Sequence, residues 1–422
     1  MTLAVILLIV VLALFRTPLF AILGGLGLFL LHQSGIDTSA LIIEMYRMTG
    51  TPVLLAIPFF TFAGYLLSES QAPKRIFRLA QLTFSGFSSG LGIATLAICA
   101  VFTALTGASG VTIIAIGGLV YPMLIRQQYS EKFTLGLVTT SGSLGLLFPP
   151  SLPIILYGVF GNTNINQLYT AGLIPGIMLV LILSGYTYFQ TRHLKPVTSE
   201  PFQWRSLLSA LKDVGWEIPV PFMIILFILK GIIIVNEAAV ITAAYLFIVE
   251  FFIKKDLKLK QDLIPTIRKS MIMVGGILII MSMALGLTNY LIDEEIPMKM
   301  FELVETYISS KLVFLLLLNL FLIIVGCMMD IFSAIMVVVP IILPVAQSFN
   351  IDPLHLGVIF LTNLEIGYLT PPVGLNLFLS SFRFNKSIIS VYRAALPFIL
   401  VLLAALVLIT YIPEISLFLI NP

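Results

Sequence analysis

The chain has 422 residues, 59% of them hydrophobic and only 10% charged, with a mean hydropathy of +1.09 and a net charge of +3. A soluble globular domain is about 45–50% apolar and about 25% charged, so this composition excludes a soluble domain of any size, makes a nucleic-acid partner unexpected and indicates an integral membrane protein in a lipid bilayer. Two cysteines inside apolar segments, Cys99 and Cys327, exclude a disulfide framework, and His32, His193 and His355 are too scattered to form a metal site.

A bilayer core about 30 Å thick takes about 20 apolar residues per helix. In chain order the apolar spans fall at about 2–15, 17–32, 52–69, 84–122, 133–160, 169–190, 218–235, 237–253, 270–292, 312–345, 355–380 and 394–412. The first has neither a basic n-region nor a small-residue cleavage site and reads as a membrane helix, not a signal peptide. Two spans, 84–122 and 312–345, are too long for one crossing. Each breaks near its middle, at Gly107-Ala-Ser-Gly110 and Gly326-Cys-Met-Met-Asp330. That pattern predicts re-entrant hairpins, tolerable only where protein or a wet cavity covers the backbone.

Tracing the chain with both hairpins puts 19 of the 23 Lys and Arg on one side, from Arg16 through the 254–269 cluster to Arg393. The positive-inside rule makes that side cytoplasmic and leaves both termini and Asp293-Glu-Glu295 outside. The halves 1–200 and 217–422 then carry the same parts in the same order with opposite orientation: an arm (about 34–50, then about 257–267), a hairpin, and a broken helix (about 133–160, then about 355–380). Gly145, Pro149 and Pro150 match Gly367, Pro371 and Pro372. Between the halves, PFQWRSLLSALKDVGW (Pro201 to Trp216) is amphipathic at helical spacing and reads as an interfacial linker helix.

The double prolines Pro149-Pro150 and Pro371-Pro372 must interrupt their helices, because proline removes a backbone donor and clashes with the preceding turn. One reading is a kink healed by neighbouring helices. The other is a binding site: in secondary transporters with inverted repeats, half-helix N-termini face anionic groups and unwound carbonyls coordinate a coupling cation. The nearby residues suit hard-cation chemistry. Thr106, Ser109, Ser141 and Ser143 lie near the first break, and Asp330, Thr362, Asn363, Glu365, Thr370 and Asn376 near the second. Asp330 and Glu365 are the carboxylates placed deep in the membrane, which makes each a functional candidate; a hydrogen bond to backbone is the plainer account of Glu365. No Gly-x-x-x-x-Gly-Lys-Ser/Thr occurs, so an ATP-driven pump within this chain is excluded. Nor is there a nucleophile with a base, and no enzyme is expected.

Four stretches resemble the large membrane subunit of the tripartite ATP-independent periplasmic (TRAP) transporters: GSLGLLFPPSLPIILYG from Gly142, NEAAVITAAY from Asn236, GCMMDIFSAIMVVVPIILP from Gly326 and IDPLHLGVIFLTNLEIGYLTPPVGLNLF from Ile351. The resemblance implies an all-α polytopic fold with two inverted repeats and an elevator motion, like that of the ion-transporter superfamily. It further implies sodium-driven import of an organic acid anion into a bacterial cell across the inner membrane, with sodium as coupling ion and no cofactor. C4-dicarboxylates come first and sialic acid, other sugar acids and sulfonates remain open. The partners it implies are a small four-helix membrane subunit and a periplasmic substrate-binding protein. Carried onto this chain, the sodium sites fall at Gly107, Ser109, Gly110, Ser143 and Gly145, and at Gly326, Asp330, Gly367, Thr370 and Pro372, with the anion near Ser109, Asn363 and Asn376. One departure is Ile234-Val-Asn-Glu-Ala238, where the family often has Pro-Thr-Glu-Ala before the eighth span. Two other readings compete: a divalent-anion/sodium symporter needing no binding protein, and a membrane scaffold with no transport.

Overall fold

The computed structural model describes residues 17–83, 89–194, 204–296, 298, 299, 302, 308 and 310–420. The predicted span 2–15, Arg16, Lys195 and the first residues of the first hairpin and of the linker lie outside them. Every regular element among the described residues is helical. Among the described residues, eight helices are long and apolar enough to cross a membrane, nine if Glu131–Leu147 and Leu152–Phe160, bent by 47°, count as one. The protein is therefore an all-α, multi-pass membrane protein.

In chain order the first half runs α1 (Leu19–Gln33), α2 (Ser39–Met48), α3 (Ala56–Glu69), α4 (Ala72–Thr83), α5 (Gly90–Thr106), α6 (Ser109–Arg126), α7 (Glu131–Ser141), α8 (Leu152–Phe160) and α9 (Ile165–Thr191). The second runs α10 (Trp204–Asp213), α11 (Pro219–Leu229), α12 (Val235–Ile253), α13 (Leu259–Asp293), α14 (Lys311–Met328), α15 (Ile331–Ser348), α16 (Pro353–Gly367), α17 (Leu375–Phe384) and α18 (Ile388–Tyr411). Polar caps start several of them. Ser130 caps α7 by accepting from Phe133 N at 3.3 Å, and Asp352 caps α16 by accepting from Leu354 N at 2.7 Å. At the start of α12, Glu237 Oε2 accepts from Ile234 N at 3.0 Å. The side chain thus satisfies a donor that the helix cannot.

Packing divides these helices into two groups. In one, α13 packs against α1, α2 and α3, and α3 against α12. In the other, α5 packs on residues 144–147, α14 on α16, α8 on α15 and α7 on α18. Contacts of α13 with α15 and of α3 with α5 join the groups. At one corner Arg75 of α4 holds three elements together: its Nη1 lies 2.6 Å from Asp256, and its Nη2 bonds Glu217 and lies 3.7 Å from Glu250.

The arm at about 257–267 and the span at 270–292 are one helix, α13, of 35 residues. At 1.5 Å per residue it is about 52 Å long, well beyond a bilayer core of about 30 Å. Arg268 and Lys269 mark where apolar sequence begins, yet both are good helix formers and the backbone continues through them. The linker helix is observed over Trp204–Asp213, with Trp204, Leu208 and Leu211 exposed on it.

Candidate functional site

Each predicted tip is a two-residue interruption, Gly107-Ala108 between α5 and α6 and Met329-Asp330 between α14 and α15. Gly107 ends α5 at φ +66°, a left-handed conformation open to glycine, and a Cβ there would lie 2.6 Å from Leu152 of α8. Asp330 begins α15: its Oδ1 accepts from Phe332 N at 3.0 Å and Ser333 N at 3.1 Å, and its Oδ2 accepts from the Ser333 hydroxyl.

Both double prolines fall in the breaks between helices, residues 142–151 and 368–374, and both Pro-Pro bonds are cis. Each break is stitched to the tip before it. In the first half Thr103 Oγ1 donates to Gly142 O at 2.8 Å and lies 2.6 Å from Thr112 Oγ1. Gly145 sits so close to α5 that a Cβ would lie 2.3 Å from Ala100 O. In the second half Cys327 O accepts from Val373 N at 3.2 Å and Gly374 N at 3.0 Å, and the Tyr368 hydroxyl accepts from Ile331 N. Gly326 and Gly367 meet backbone to backbone, since a Cβ on Gly367 would lie 2.6 Å from Gly326 Cα.

The two halves also interlock. Asn376 Nδ2 donates to Thr139 O at 3.4 Å and to Ser143 Oγ at 3.3 Å, and Thr139 Oγ1 donates to Ser380 Oγ at 2.9 Å. Gly110 lies against Leu379 of α17, and Tyr157 OH donates to Pro353 O at 2.8 Å. Ser109 is buried, with its carbonyl beside Gly142. Around the first tip, then, Gly107 lies against Leu152, Ser109 beside Gly142 and Gly110 against Leu379, while Gly145 packs on α5 and Asn376 bonds Ser143. Gly326 packs on Gly367, and the break that carries Thr370 and Pro372 is bonded to Cys327 and Ile331 on either side of the Met329-Asp330 tip. Thr370 Oγ1, in the break, bonds back to Ile366 O of α16 at 2.9 Å.

Asn363 takes a different place. Its Nδ2 donates to Asn319 Oδ1 of α14 at 2.7 Å and to Ile359 O at 2.8 Å, and Asn319 Nδ2 donates to Thr410 Oγ1 of α18 at 3.0 Å. Thr103, Thr112 and Tyr368 at the breaks, and Asn319 and Thr410 as the partners of Asn363, are thus polar residues that a reading of the breaks misses. Asn319 had a visible signal, a lone amide inside LVFLLLLNLFLIIV.

Buried polar atoms without a partner among the described residues include the hydroxyls of Thr140 and Ser151 at the first break and several amide and carboxyl oxygens. Asn363 Oδ1, Asn376 Oδ1 and both Glu365 oxygens are buried and accept no hydrogen bond from the described residues. Both asparagines commit their amide hydrogens to carbonyl or hydroxyl oxygens, so what they leave free is oxygen. Such atoms suit a hard cation or a donor group. A carboxylate ligand would have to displace one of those bonds to reach either amide.

Comparison with known proteins fits this geometry. The family description "Tripartite ATP-independent periplasmic transporter, DctM component" matches residues 5–415. The C4-dicarboxylate TRAP transporter large permease protein of Vibrio cholerae is 33% identical over 410 residues, covering 92% of this chain and 90% of that protein. The sialic acid TRAP transporter permease protein of Haemophilus influenzae is 29% identical, over 89% of this chain and 61% of that one. Among solved structures, the YdaH transporter of Alcanivorax borkumensis aligns with a TM-score of 0.63 over 96% of this chain and 97% of its own, at 15% identity. That likeness concerns the fold alone.

Proposed function

The chain belongs to the tripartite ATP-independent periplasmic (TRAP) transporters as their DctM-type large permease component, and from that premise we propose that it imports an organic acid anion, driven by sodium, through an elevator motion. It is a transporter permease and not an enzyme. The substrate class we propose is a C4-dicarboxylate, sialic acid or a similar acid. The working complex contains a small four-helix membrane subunit and a periplasmic substrate-binding protein, in a bacterial inner membrane with both termini of this chain periplasmic.

The observation that carries this reading is the stitching of each helix break to its own tip, with acceptor oxygens buried around it. Such a region can exchange cations for the hydration they lose, because carbonyl, hydroxyl and carboxylate oxygens replace water. We assign one sodium to Gly107, Ser109, Gly110, Ser143 and Gly145 and another to Gly326, Asp330, Gly367, Thr370 and Pro372, with the anion held between the tips near Ser109, Asn376 and Asn363. Bound sodium then offsets the anion's charge. An unpaired anion could not cross the bilayer interior at an acceptable cost. In this reading the halves 1–200 and 217–422 are inverted repeats, α1, α2, α3, α12 and α13 belong to the scaffold, and the tips and broken helices move.

The experiment is a thermal melt of the purified protein in sodium against potassium at matched ionic strength, for wild type, Ser109→Ala and Thr370→Ala. A ligand that binds only the folded state raises stability by RT ln(1 + [L]/Kd). Sodium should raise the wild-type melting temperature, and each substitution should shrink that rise. Identical curves in the two salts, for this chain and for its complex with the small subunit, would remove the sodium assignment. Uptake by reconstituted complex that proceeds without the binding protein would favour a standalone symporter.

A further inference from the structure

The first turns of α7 and α18 and the residues before α18 line an open cavity of about 390 Å³, with Glu131, Lys132, Leu135, Lys386, Ser390 and Arg393 around it. It holds three cations and one carboxylate. Lys386 pairs with Glu131, which leaves the charges of Lys132 and Arg393 without a carboxylate partner among the described residues. Two helices of 11 and 24 residues begin at this cavity, and the positive ends of their dipoles add to the field. They are held side by side by a close approach at Gly136, where a Cβ would lie 2.2 Å from Ala394 O.

One side of the cavity continues into an exposed apolar stripe. Ile389, Leu396, Leu400 and Val407 are 65%, 39%, 60% and 52% exposed, and with Arg393 they recur at steps of three, four or seven, which places them on one face of α18. From Leu396 to Val407, beyond Arg393, the stripe rises about 16 Å, about half the thickness of a bilayer core. The cation therefore stands at the head of an apolar track. That is the chemical outline of an anionic lipid: a phosphate at the membrane boundary and chains along the core.

We propose that this cavity binds the phosphate headgroup of an anionic phospholipid whose acyl chains lie along the α18 stripe. Basic pockets between transmembrane helices on the membrane face that carries the basic loops are a known way of holding acidic headgroups, and here the charge excess, the cavity and the stripe are continuous. A soluble phosphate would satisfy the cations but would make no use of the stripe. The site is separate from the helix breaks, so it is independent of whether sodium couples transport.

Two measurements test it. In the first, the melt is followed in micelles supplemented with phosphatidylglycerol, phosphatidylcholine or inorganic phosphate, for wild type, the pair Lys132→Gln with Arg393→Gln, and the control pair Lys212→Gln with Lys260→Gln. Phosphatidylglycerol should raise the melting temperature of the wild type and of the control pair, and at least half of that rise should vanish in the cavity pair. An equal response from all three proteins, or an equal rise with phosphatidylcholine, would overturn the proposal. A rise reproduced by inorganic phosphate would replace it with a free-anion site. The second needs no variant: a photoactivatable phosphatidylglycerol is crosslinked to wild-type protein, and the labelled peptides should cover residues 131–135 and 386–400. Labels confined to other peptides would refute it even if the cavity pair failed to fold.

Discussion

Asn376 Nδ2 donates to Ser143 Oγ at 3.3 Å, so a residue of the second broken helix holds one of the first across the centre of the molecule. The same amide reaches Thr139 O at 3.4 Å, and neither residue is exposed. Movement of one break is therefore felt at the other. The proposed mechanism, with two cation sites around one substrate, requires such a link.

Asn376→Ala removes both bonds and leaves a buried carbonyl without this donor. An unsatisfied buried group costs about 1–3 kcal/mol, so the melt should fall by that order while the protein still folds. Uptake in proteoliposomes should fall at least tenfold. Wild-type uptake from the variant would show that the tie between the halves has no part in transport.

The contact between Gly326 and Gly367 permits no side chain. A Cβ on Gly367 would lie 2.6 Å from Gly326 Cα and C and 2.9 Å from Cys327 N, all backbone atoms that cannot rotate away. Gly367→Ala should force the second break off its tip and cost about 1–3 kcal/mol, the range for overpacking. Gly185→Ala is the matched control, because a Cβ there meets nothing within 4 Å and alanine favours the helix by up to about 1 kcal/mol. Comparable melts for the two variants would show that the close approach carries no strain.

Much of this centre was legible in the sequence, and the parts that were not have a physical reason. Pro149-Pro150 and Pro371-Pro372 announce breaks because two adjacent prolines each remove a backbone donor and clash with the preceding turn, more than one helix interior accommodates. Gly107 announces the first tip, because its left-handed conformation favours glycine, whereas Gly326 lies inside α14 and the second tip falls at Met329-Asp330. Polarity is a weaker guide: it marks where apolar sequence starts and says little about where a helix ends, and so the arm near 257–267 merges into α13. Asn363 lies close to the break in sequence, but its phase on α16 turns its amide to Asn319. That partner, and Thr410 beyond it, come from two other helices and depend on tertiary packing. No local pattern encodes the pairing.

Arg75 answers three carboxylates, and two of them, Glu217 and Glu250, have side chains 1% and 0% exposed. Burial works against its charge, but its bonds to Asp256 and Glu217 outweigh that and hold its pKa above the ordinary value, so it stays protonated at any working pH. Arg75→Ala leaves the acids buried with their main counter-charge gone. The expected loss is about 3–5 kcal/mol, as for one partner removed from a buried pair. Arg75→Lys should recover only part of it, because a point ammonium cannot replace a planar fork. A chemical-denaturation midpoint for Arg75→Ala equal to that of the wild type would mean that the cluster lends the fold no net stability.

Asp330 has one observed duty and one proposed, and the two separate cleanly. It caps α15, with Oδ1 accepting from Phe332 N at 3.0 Å and Ser333 N at 3.1 Å, and its charge sits at the positive end of an 18-residue helix. In the proposed mechanism that charge also faces sodium. Asparagine caps about as well as aspartate, whereas alanine costs about 1 kcal/mol. Asp330→Asn should therefore melt in potassium close to the wild type, and Asp330→Ala should melt lower. If the carboxylate is part of the cation site, the extra stability that sodium confers should shrink in both variants, including the one whose cap is intact. If Asp330→Asn keeps the full sodium response, the residue is a helix cap and the second sodium must be held by the backbone of the break and Thr370.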